Sequence, residues 1–286
     1  MIDLHIHSKL SNGELSVDEI LEKSQDLDIF SITDSEHCLA YKDINLLEHE
    51  KLVTGVIFTS SIDGMLINLI GYEVNPTIIN NYYYENNSKE VIEKNEYKVF
   101  QSLQDIMKNN GLTLSEDLQL SLVEKGISKK LVFFNAQKHN ENFPFLNYHN
   151  FYRNGLSNPF SDYFLDEREM HPSIDTVFNL IKDAGGLVFL AHPYEYEVNV
   201  DTLIDKLIPY GLDGLEAFHP SAAVRQSLKL LDICEKYNLY ASAGSEFRKA
   251  RYHYPLGVNL HHNIFDLDSF KWLKKYSNLE KENENI

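Results

Sequence analysis

The sequence predicts a parallel α/β fold and favours a barrel over an open sheet. Strand and helix patterns alternate along most of the chain, which is typical of βαβ units. A polar, mainly helical segment interrupts this alternation once. Polar side chains stand where five predicted strands end, and in α/β barrels that rim carries the chemistry. These five residues are His7, Asp34, His192, His219 and Glu246.

Composition limits the class of protein and of partner. The chain has 286 residues, of which 43% are hydrophobic, so it can bury a large core, and disordered or disulfide-stapled classes are excluded. The 43 acidic residues outnumber the 26 basic ones, and the net charge is −17. Extended nucleic-acid binding is therefore not expected, because it needs a basic surface. A small phosphorylated partner fits this charge if a bound metal reverses the local field.

The cysteine content, the length of the apolar runs and the N-terminal pattern predict the compartment of the protein. The two cysteines, Cys38 and Cys234, predict reduced thiols rather than a disulfide framework. No apolar run approaches the ~18 residues that a membrane span needs. The chain opens directly in a strand pattern, without a signal peptide. We therefore expect a cytoplasmic protein with no membrane association, and the sequence does not specify an oligomeric state.

Residues 1–75 form the first part of the predicted barrel. The opening strand alternates, with Asp3, His5 and His7 on one face and isoleucine and leucine on the other. Ser16 and Glu19 have the spacing of a capping box, which predicts a helix start. The elements predicted here are a strand at 2–7, a helix ending near Gln25, a strand at 28–33, a short helix near 41–49, and strands near 52–59 and 66–73.

Residues 76–171 are interpreted as a helical insertion or cap, and residues 172–276 as the second part of the barrel. Pro172 suits the start of a helix, where its missing N–H costs nothing. Strand 187–191 is apolar on both faces, as in a buried parallel sheet. The further elements are a helix at 200–209, a strand at 213–218, a helix at 222–237 and a strand at 239–243, and residues 277–286 are expected to fray.

Two imidazoles on one face of the first strand predict a metal site. The spacing of His5 and His7 lets both reach a single ion. The alternative is a pair of strand-end histidines with ordinary polar neighbours. His192 ends a very apolar strand, so it needs either a hydrogen-bond partner or a metal. Glu216 lies within a strand, where a structural hydrogen bond is expected.

Further polar residues at strand ends have more than one interpretation. Asp34 and His37 follow the second strand and can bind metal or orient a ligating histidine. The alternative is that Asp34 or Ser35 caps the start of a helix. His219 can contact substrate or donate a proton. Glu246 can ligate a metal, and Arg248 suits a phosphate or carboxylate partner or a surface ion pair.

Taken together, these motifs resemble the PHP family, named for polymerase and histidinol phosphatase. The resemblance runs from about residue 1 to 257, and it is greatest to stand-alone PHP phosphoesterases that act on small nucleotides or phosphate monoesters. It implies a distorted, TIM-like barrel of seven strands with two or three divalent metals at its rim. The motifs are Asp3-Leu4-His5-Ile6-His7-Ser8, Thr33-Asp34, Ala191-His192-Pro193 and Gly244-Ser245-Glu246-Phe247.

Carried over residue by residue, the resemblance implies a site at the barrel rim. Glu246 stands where the family usually has Asp, and its longer carboxylate can still ligate. The candidate catalytic residues are His219, Arg248 and Asp34, of which His219 and Arg248 are the phosphate contacts. The implied metal ligands are His5, His7, His192 and Glu246.

Five positions depart from the family pattern. Isoleucine cannot bridge cations, Asn binds metal more weakly than imidazole, and Arg brings a fixed positive charge. We therefore expect at most one tightly bound divalent ion (Mn, Zn, Fe or Mg). Glu36 and His37 are displaced from the usual pattern, and the sequence leaves open whether they compensate in part. The departures are Asn12 for Asp, Ser35 for His, Ile57 for the metal-bridging Glu, Asn68 for His and Arg248 for His.

Two functions remain open on the sequence. The first is a metal-dependent phosphoesterase with a reduced metal site, acting on a small phosphate ester or nucleotide. The second is a catalytically inactive PHP-like protein that keeps the pocket and binds a ligand or a partner. The surviving ligands favour the first and the substitutions favour the second, since fold alone does not determine function.

Overall fold

The computed structural model describes residues 1–42, 49–121, 123–196, 198–249, 254–258, 260 and 268–276. Most of the helix expected near 41–49 and the whole tail at 277–286 lie outside these residues. The strands are β1 (Ile2–Ile6), β2 (Ile29–Ile32), β3 (Gly55–Ile62), β4 (Met65–Tyr72), β5 (Leu187–Leu190), β6 (Gly214–Phe218) and β7 (Tyr240–Ala243).

The helices follow the strands in the order expected for an α/β fold. The first begins after Ser16, whose side chain accepts from the backbone of Glu19 while the Glu19 carboxylate accepts from the backbone of Ser16, so the predicted capping box is confirmed. The α-helices of more than six residues in the described ranges are Val17–Lys23, Pro76–Asn86, Lys89–Asn109, Ile127–His139, Ile174–Asp183, Val200–Leu207 and Val224–Tyr237.

The strands form two sheets, and the larger one is mixed. β1 pairs with β2 in parallel, and the other five strands lie in the order β3-β4-β5-β6-β7. β5, β6 and β7 are parallel, but β4 is antiparallel to β5. The prediction of a wholly parallel sheet is therefore wrong at β4. The physical reason is the two-residue connection Asp63–Gly64, where both residues have positive φ, as a tight hairpin turn requires.

Isolated backbone bridges connect the two sheets. Ile6 is bridged to Phe247 beyond β7, and Ser35 beyond β2 is bridged to Ile57 in β3. Regular ladders do not close a barrel in the described part of the chain, so the structure shows a mixed α/β fold. Glu36 and Glu246, adjacent to these bridges, have φ of 66° and 52°, a conformation that interrupts strand pairing.

β1 is buried on both faces, which explains its unusual content of polar side chains. All five of its residues are buried. Its polar face is satisfied in part by Asp3, which accepts from the backbone and hydroxyl of Ser245 and from the backbone of Gly257. Burial raises the pKa of Asp3, and these hydrogen bonds oppose that rise. Asp3 thus ties β1 to the loop after β7.

The chain divides into two compact units. One comprises Met1–Thr59, Ile67–Tyr83 and Ile174–Ile286, and it holds every predicted site residue. The other comprises Ser60–Leu66 and Tyr84–Ser173, where the sequence predicted an insertion at 76–171. None of the helices described here combines the length and the apolar character needed to cross a membrane.

The second unit has its own aromatic core. Phe133 contacts the rings of Phe143 and Phe151, and these side chains pack with Leu103 from the long helix Lys89–Asn109. The helix Ile127–His139 follows a glycine, which offers no side-chain cap. The carboxylate of Glu96 accepts from the backbone N–H groups of Gly126 and Ser128 instead, so one helix caps the other.

Candidate metal centre

β1 carries His5, the next residue after the strand is His7, and both side chains lie in the interior of the first unit. Their ring centroids lie 5.3 Å apart, and both side chains are buried. The Nδ1 of His5 lies 3.0 Å from Oε1 of Glu216, which is fully buried as well. This contact confirms the structural hydrogen bond expected of Glu216. It also fixes the imidazole of His5 with Nε2 facing away from β6.

Three nitrogens of these rings have no hydrogen-bond partner among the described residues: Nε2 of His5 and both ring nitrogens of His7. A buried polar atom without a partner costs free energy comparable to a lost hydrogen bond. Such atoms, gathered on one side of one strand, are typical of a site that a ligand completes. The arrangement therefore fits a metal ion.

The protonation of both histidines favours metal binding. Burial lowers the pKa of His5, and burial together with the charge of Arg248 lowers the pKa of His7 well below its usual range. Both rings are therefore neutral at pH 7. A neutral imidazole offers its lone pair without first losing a proton.

Glu246 completes a ligand group with these two histidines. It follows β7 in a left-handed conformation (φ 52°), which is strained for a residue with a Cβ and is often seen at functional sites. One ligand atom from each of His5, His7 and Glu246 lies within 4.8 Å of the others. Burial raises the pKa of Glu246, but the charge of Arg248 lowers it, and the pKa lies well below its usual range. Glu246 is thus an anion at neutral pH.

Arg248 is the immediate partner of that carboxylate. Its Nη2 donates to Oε1 of Glu246 at 2.6 Å. The arginine side chain is 43% exposed and the glutamate side chain 16%, so the guanidinium lies on the solvent side of the pair. A fixed cation therefore stands beside the proposed ion site.

His192 lies in the same pocket with different partners. Its ring is stacked on that of His5 at 5.8 Å, and its φ of 65° is also left-handed. Nδ2 of Asn68 donates to its Nε2 at 3.2 Å, so this nitrogen already accepts a hydrogen bond. Its Nδ1 faces the hydroxyl of Tyr196 at 3.5 Å and Oε2 of Glu195 at 3.7 Å. Asn68 thus occupies the lone pair that a metal would take.

Glu195 forms a second possible ligand group with His192 and Glu246. Glu195 is not among the site residues predicted from the sequence. A short turn at Pro193–Glu195 brings it back onto His192, and the only sequence signal is an acidic residue three positions after a strand-end histidine. Glu246 is common to both ligand groups, whereas the sequence predicted one group of four residues.

His219 has a defined tautomer. The backbone N–H of Ser221 donates to its Nδ1 at 3.2 Å, and the Ser221 hydroxyl lies 2.6 Å from the same nitrogen. Nδ1 is therefore the acceptor, and the proton of the neutral ring lies on Nε2. Nε2 faces Oε2 of Glu246 at 3.7 Å, which aims a proton donor into the pocket.

The predicted residues after β2 are held by other contacts. The carboxylate of Asp34 accepts from the backbone and hydroxyl of Ser8 and from the hydroxyl of Ser11, so it fixes the loop after β1. Both ring nitrogens of His37 face backbone groups, at Leu10 and Leu39. Neither residue belongs to a ligand group in the described ranges. A catalytic role for Asp34 stays a prediction.

The residues that depart from the family pattern are integrated into the fold. The amide of Asn12 donates to the hydroxyl of Ser35 at 3.0 Å, so two of the departures contact each other. Ile57 is buried in β3, where it contributes no charge. Asn68 accepts from Thr59 and donates to His192. Glu36 pairs its backbone with Ile57 and joins no ligand group among the described residues.

The buried histidines predict how stability depends on pH. Because the folded pKa of His7 is depressed, the unfolded chain binds a proton below about pH 6.5 that the folded chain does not. His7 therefore lowers the free energy of unfolding as pH falls. Between pH 7.5 and 5.5, the metal-free wild type should lose about 1 kcal/mol more stability than His7→Gln in urea unfolding. His149→Gln, which removes an exposed histidine, should behave like the wild type. Equal pH slopes for wild type and His7→Gln would contradict the argument.

Comparison with curated proteins gives one relative along nearly the whole chain. It is a 5'-3' exoribonuclease of Haemophilus influenzae, 24% identical over 276 residues, which cover 93% of this chain and 95% of the relative. A phosphoribosyl 1,2-cyclic phosphate 1,2-diphosphodiesterase of Eggerthella lenta is 34% identical over 73 residues, which cover 26% of this chain and 27% of the relative. No family model matches the chain.

Solved structures share the fold. An amidohydrolase from Chromobacterium violaceum, solved with bound sulfate and no metal, has a TM-score of 0.67 at 17% identity and covers 91% of both chains. A protein of Bifidobacterium adolescentis described as a metal-dependent phosphoesterase has a TM-score of 0.64 at 19% identity and covers 96% of both chains. The resemblance to PHP-like metal-dependent phosphoesterases is thus confirmed. At these identities the structures show the fold alone.

Proposed function

We propose that this chain is a PHP-type metal-dependent phosphoesterase with a reduced metal site, acting on a small phosphate ester or nucleotide. The observation that carries the proposal is the group of His5, His7 and Glu246, in which buried ring nitrogens lack partners among the described residues. The bridges from Ile6 to Phe247 and from Ser35 to Ile57 support the fuller fold, a distorted seven-stranded barrel with this group at its rim.

In this proposal His5, His7 and Glu246 hold one divalent ion. A divalent ion at such a site polarises a phosphoryl oxygen and lowers the pKa of water. Two cations at close range need a shared anion between them, and Ile57 provides none. The Asn68 amide also donates to Nε2 of His192, so this nitrogen is not free to bind a second ion. We therefore keep the expectation of at most one tightly bound ion.

The chain's own residues supply the remaining chemistry. Arg248 presents a half-exposed guanidinium that suits the paired oxygens of a phosphate. His219 directs its Nε2 into the pocket, and in the imidazolium form it can give the Nε2 proton to a leaving alkoxide as a general acid, which leaves the neutral ring. Glu216 fixes the orientation of the His5 imidazole through its contact to Nδ1 and is a positioning residue. Asp34 shapes the loop after β1 through Ser8 and Ser11.

The substrate class follows from charge and from the relatives. The net charge of −17 disfavours a long polyanion, whereas a single phosphate needs only the ion and Arg248. One curated relative is named a 5'-3' exoribonuclease and the other a phosphoribosyl 1,2-cyclic phosphate 1,2-diphosphodiesterase, so a short RNA is a test substrate beside the small esters. The alternative is an inactive PHP-like protein that binds a ligand or partner, which the substitutions at Ile57, Asn68 and Arg248 favour.

Turnover of phosphate esters with Mn²⁺-loaded protein tests the proposal. Substrates are nucleoside monophosphates and a short 5′-phosphorylated RNA, with phosphate or nucleotide release as the readout. His219→Gln should lower kcat by about 100-fold, since general acid catalysis contributes that order. His149→Gln is the control and should retain wild-type kcat. Wild-type protein that binds Mn²⁺ stoichiometrically yet hydrolyses neither substrate would support the inactive alternative instead.

A further inference from the structure

Glu246 is engaged twice in the same pocket. It belongs to both ligand groups, and one of its oxygens also accepts from Arg248 at 2.6 Å. A carboxylate held by a guanidinium donates less electron density to a metal ion, and the fixed charge of Arg248 repels that ion. The Arg248 guanidinium and a metal ion therefore compete for the carboxylate of Glu246.

The exposure of the pair shows how a ligand can resolve this conflict. The Glu246 side chain is mostly buried, whereas that of Arg248 is 43% exposed on the solvent side. The guanidinium has five N–H donors in a planar fork, and only one contact to Glu246 meets hydrogen-bond criteria. A phosphate reaching the pocket from solvent can engage the same guanidinium with two oxygens. Its negative charge then offsets the repulsion between Arg248 and the ion.

We propose that Arg248 couples the binding of the metal and of the phosphate group through Glu246. Without phosphate, Arg248 holds Glu246 and weakens metal binding. With phosphate on Arg248, Glu246 is free to ligate and the metal binds more tightly. Because linkage is reciprocal, the metal raises phosphate affinity by the same factor. This inference rests on the proposed metal site and adds a regulation of that site by its own substrate class.

Arg248→Gln is expected to change the affinities for Mn²⁺ and for phosphate in opposite directions. This distinguishes coupling between the two ligands from a purely structural role of Arg248. Removing the guanidinium removes the repulsion, so Mn²⁺ should bind about fivefold or more tightly in the absence of phosphate. The same change removes the phosphate contact, so inorganic phosphate should bind more weakly. A residue that merely supported the fold would weaken both ligands together.

Isothermal titration of the metal-free full chain with Mn²⁺, with and without inorganic phosphate, tests the coupling. In the wild type, saturating phosphate should tighten Mn²⁺ binding by about fivefold or more. In Arg248→Gln that effect should fall below about twofold. Arg225→Gln, which removes an exposed arginine on helix Val224–Tyr237, should match the wild type. Arg248→Lys keeps the charge and should keep the weaker, wild-type Mn²⁺ affinity without phosphate.

Several results would overturn this inference while leaving the metal site intact. Phosphate that contacts only the ion would tighten Mn²⁺ equally in wild type and Arg248→Gln. Weaker Mn²⁺ binding by Arg248→Gln without phosphate would show a supporting role instead, and tight binding by Arg248→Lys would exclude the effect of charge. Wild-type protein that binds no Mn²⁺ under any of these conditions would instead overturn the proposed function itself.

Discussion

Replacing His7 with alanine is expected to weaken Mn²⁺ binding by more than about 100-fold, because the change removes a side chain that contacts the ion directly. Loss of a residue that only hydrogen-bonds to a ligand typically weakens metal affinity by about 10–100-fold. Neither ring nitrogen of His7 has a hydrogen-bond partner in the described ranges, so the side chain has no other visible task. Titration of the metal-free variant with Mn²⁺ measures the effect.

The same titration on His192→Ala is the internal comparison. Nε2 of His192 already accepts from Asn68, so its removal should cost less than about tenfold in Mn²⁺ affinity. His149 is exposed and belongs to neither ligand group, so His149→Ala should leave Mn²⁺ affinity unchanged. Loss of binding in His192→Ala with retention in His7→Ala would reverse the ligand assignment argued from the structure.

The second large effect is expected at Gly244, which packs against His5 of the candidate metal centre. A Cβ built there would lie 2.2 Å from Cβ of His5 and 2.6 Å from Oε1 of Glu216. Both neighbours are fully buried and held against each other, so the clash cannot be relieved by a flexible side chain. Gly244→Ala should therefore destabilise the fold by about 3 kcal/mol and also weaken Mn²⁺ binding, since His5 must move.

Gly64→Ala is the matched control for that change. Gly64 has a φ of 84° but has nothing within 4 Å of an added Cβ, so alanine there should cost only about 1 kcal/mol of backbone strain and leave Mn²⁺ affinity unchanged. Urea unfolding and Mn²⁺ titration of both variants make the comparison. Equal unfolding midpoints and equal Mn²⁺ affinities would show that the contact between Gly244 and His5 is not tight.

Local patterns predicted the parts of the fold that depend on neighbouring residues. Alternation placed His5 in β1 and His7 directly after it on the same side of the chain, and the spacing of Ser16 and Glu19 predicted the helix start. The direction of β4 was missed because it depends on the two-residue turn at Asp63–Gly64, which the coarse strand prediction did not consider.

The partners of each site residue could not be predicted, because they come from distant parts of the chain. Glu216 meets His5 across 211 residues, and Asn68 meets His192 across 124. Asp34 was predicted from its strand-end position, yet its carboxylate faces the loop of Ser8. Single-sequence reasoning found which residues are chemically capable, but their pairing depends on the packing of β1 against the strands and loops around it.

The most direct test of the metal centre is Mn²⁺ titration of the wild type followed by pulsed EPR on protein carrying ¹⁵N-labelled histidine. We expect one tightly bound Mn²⁺ per chain, with one coupling from an imidazole nitrogen of His5 and one from His7. The same spectrum of His7→Ala should retain at most one of these couplings. Stoichiometric Mn²⁺ without any histidine coupling, or wild-type protein that binds no Mn²⁺, would contradict the account.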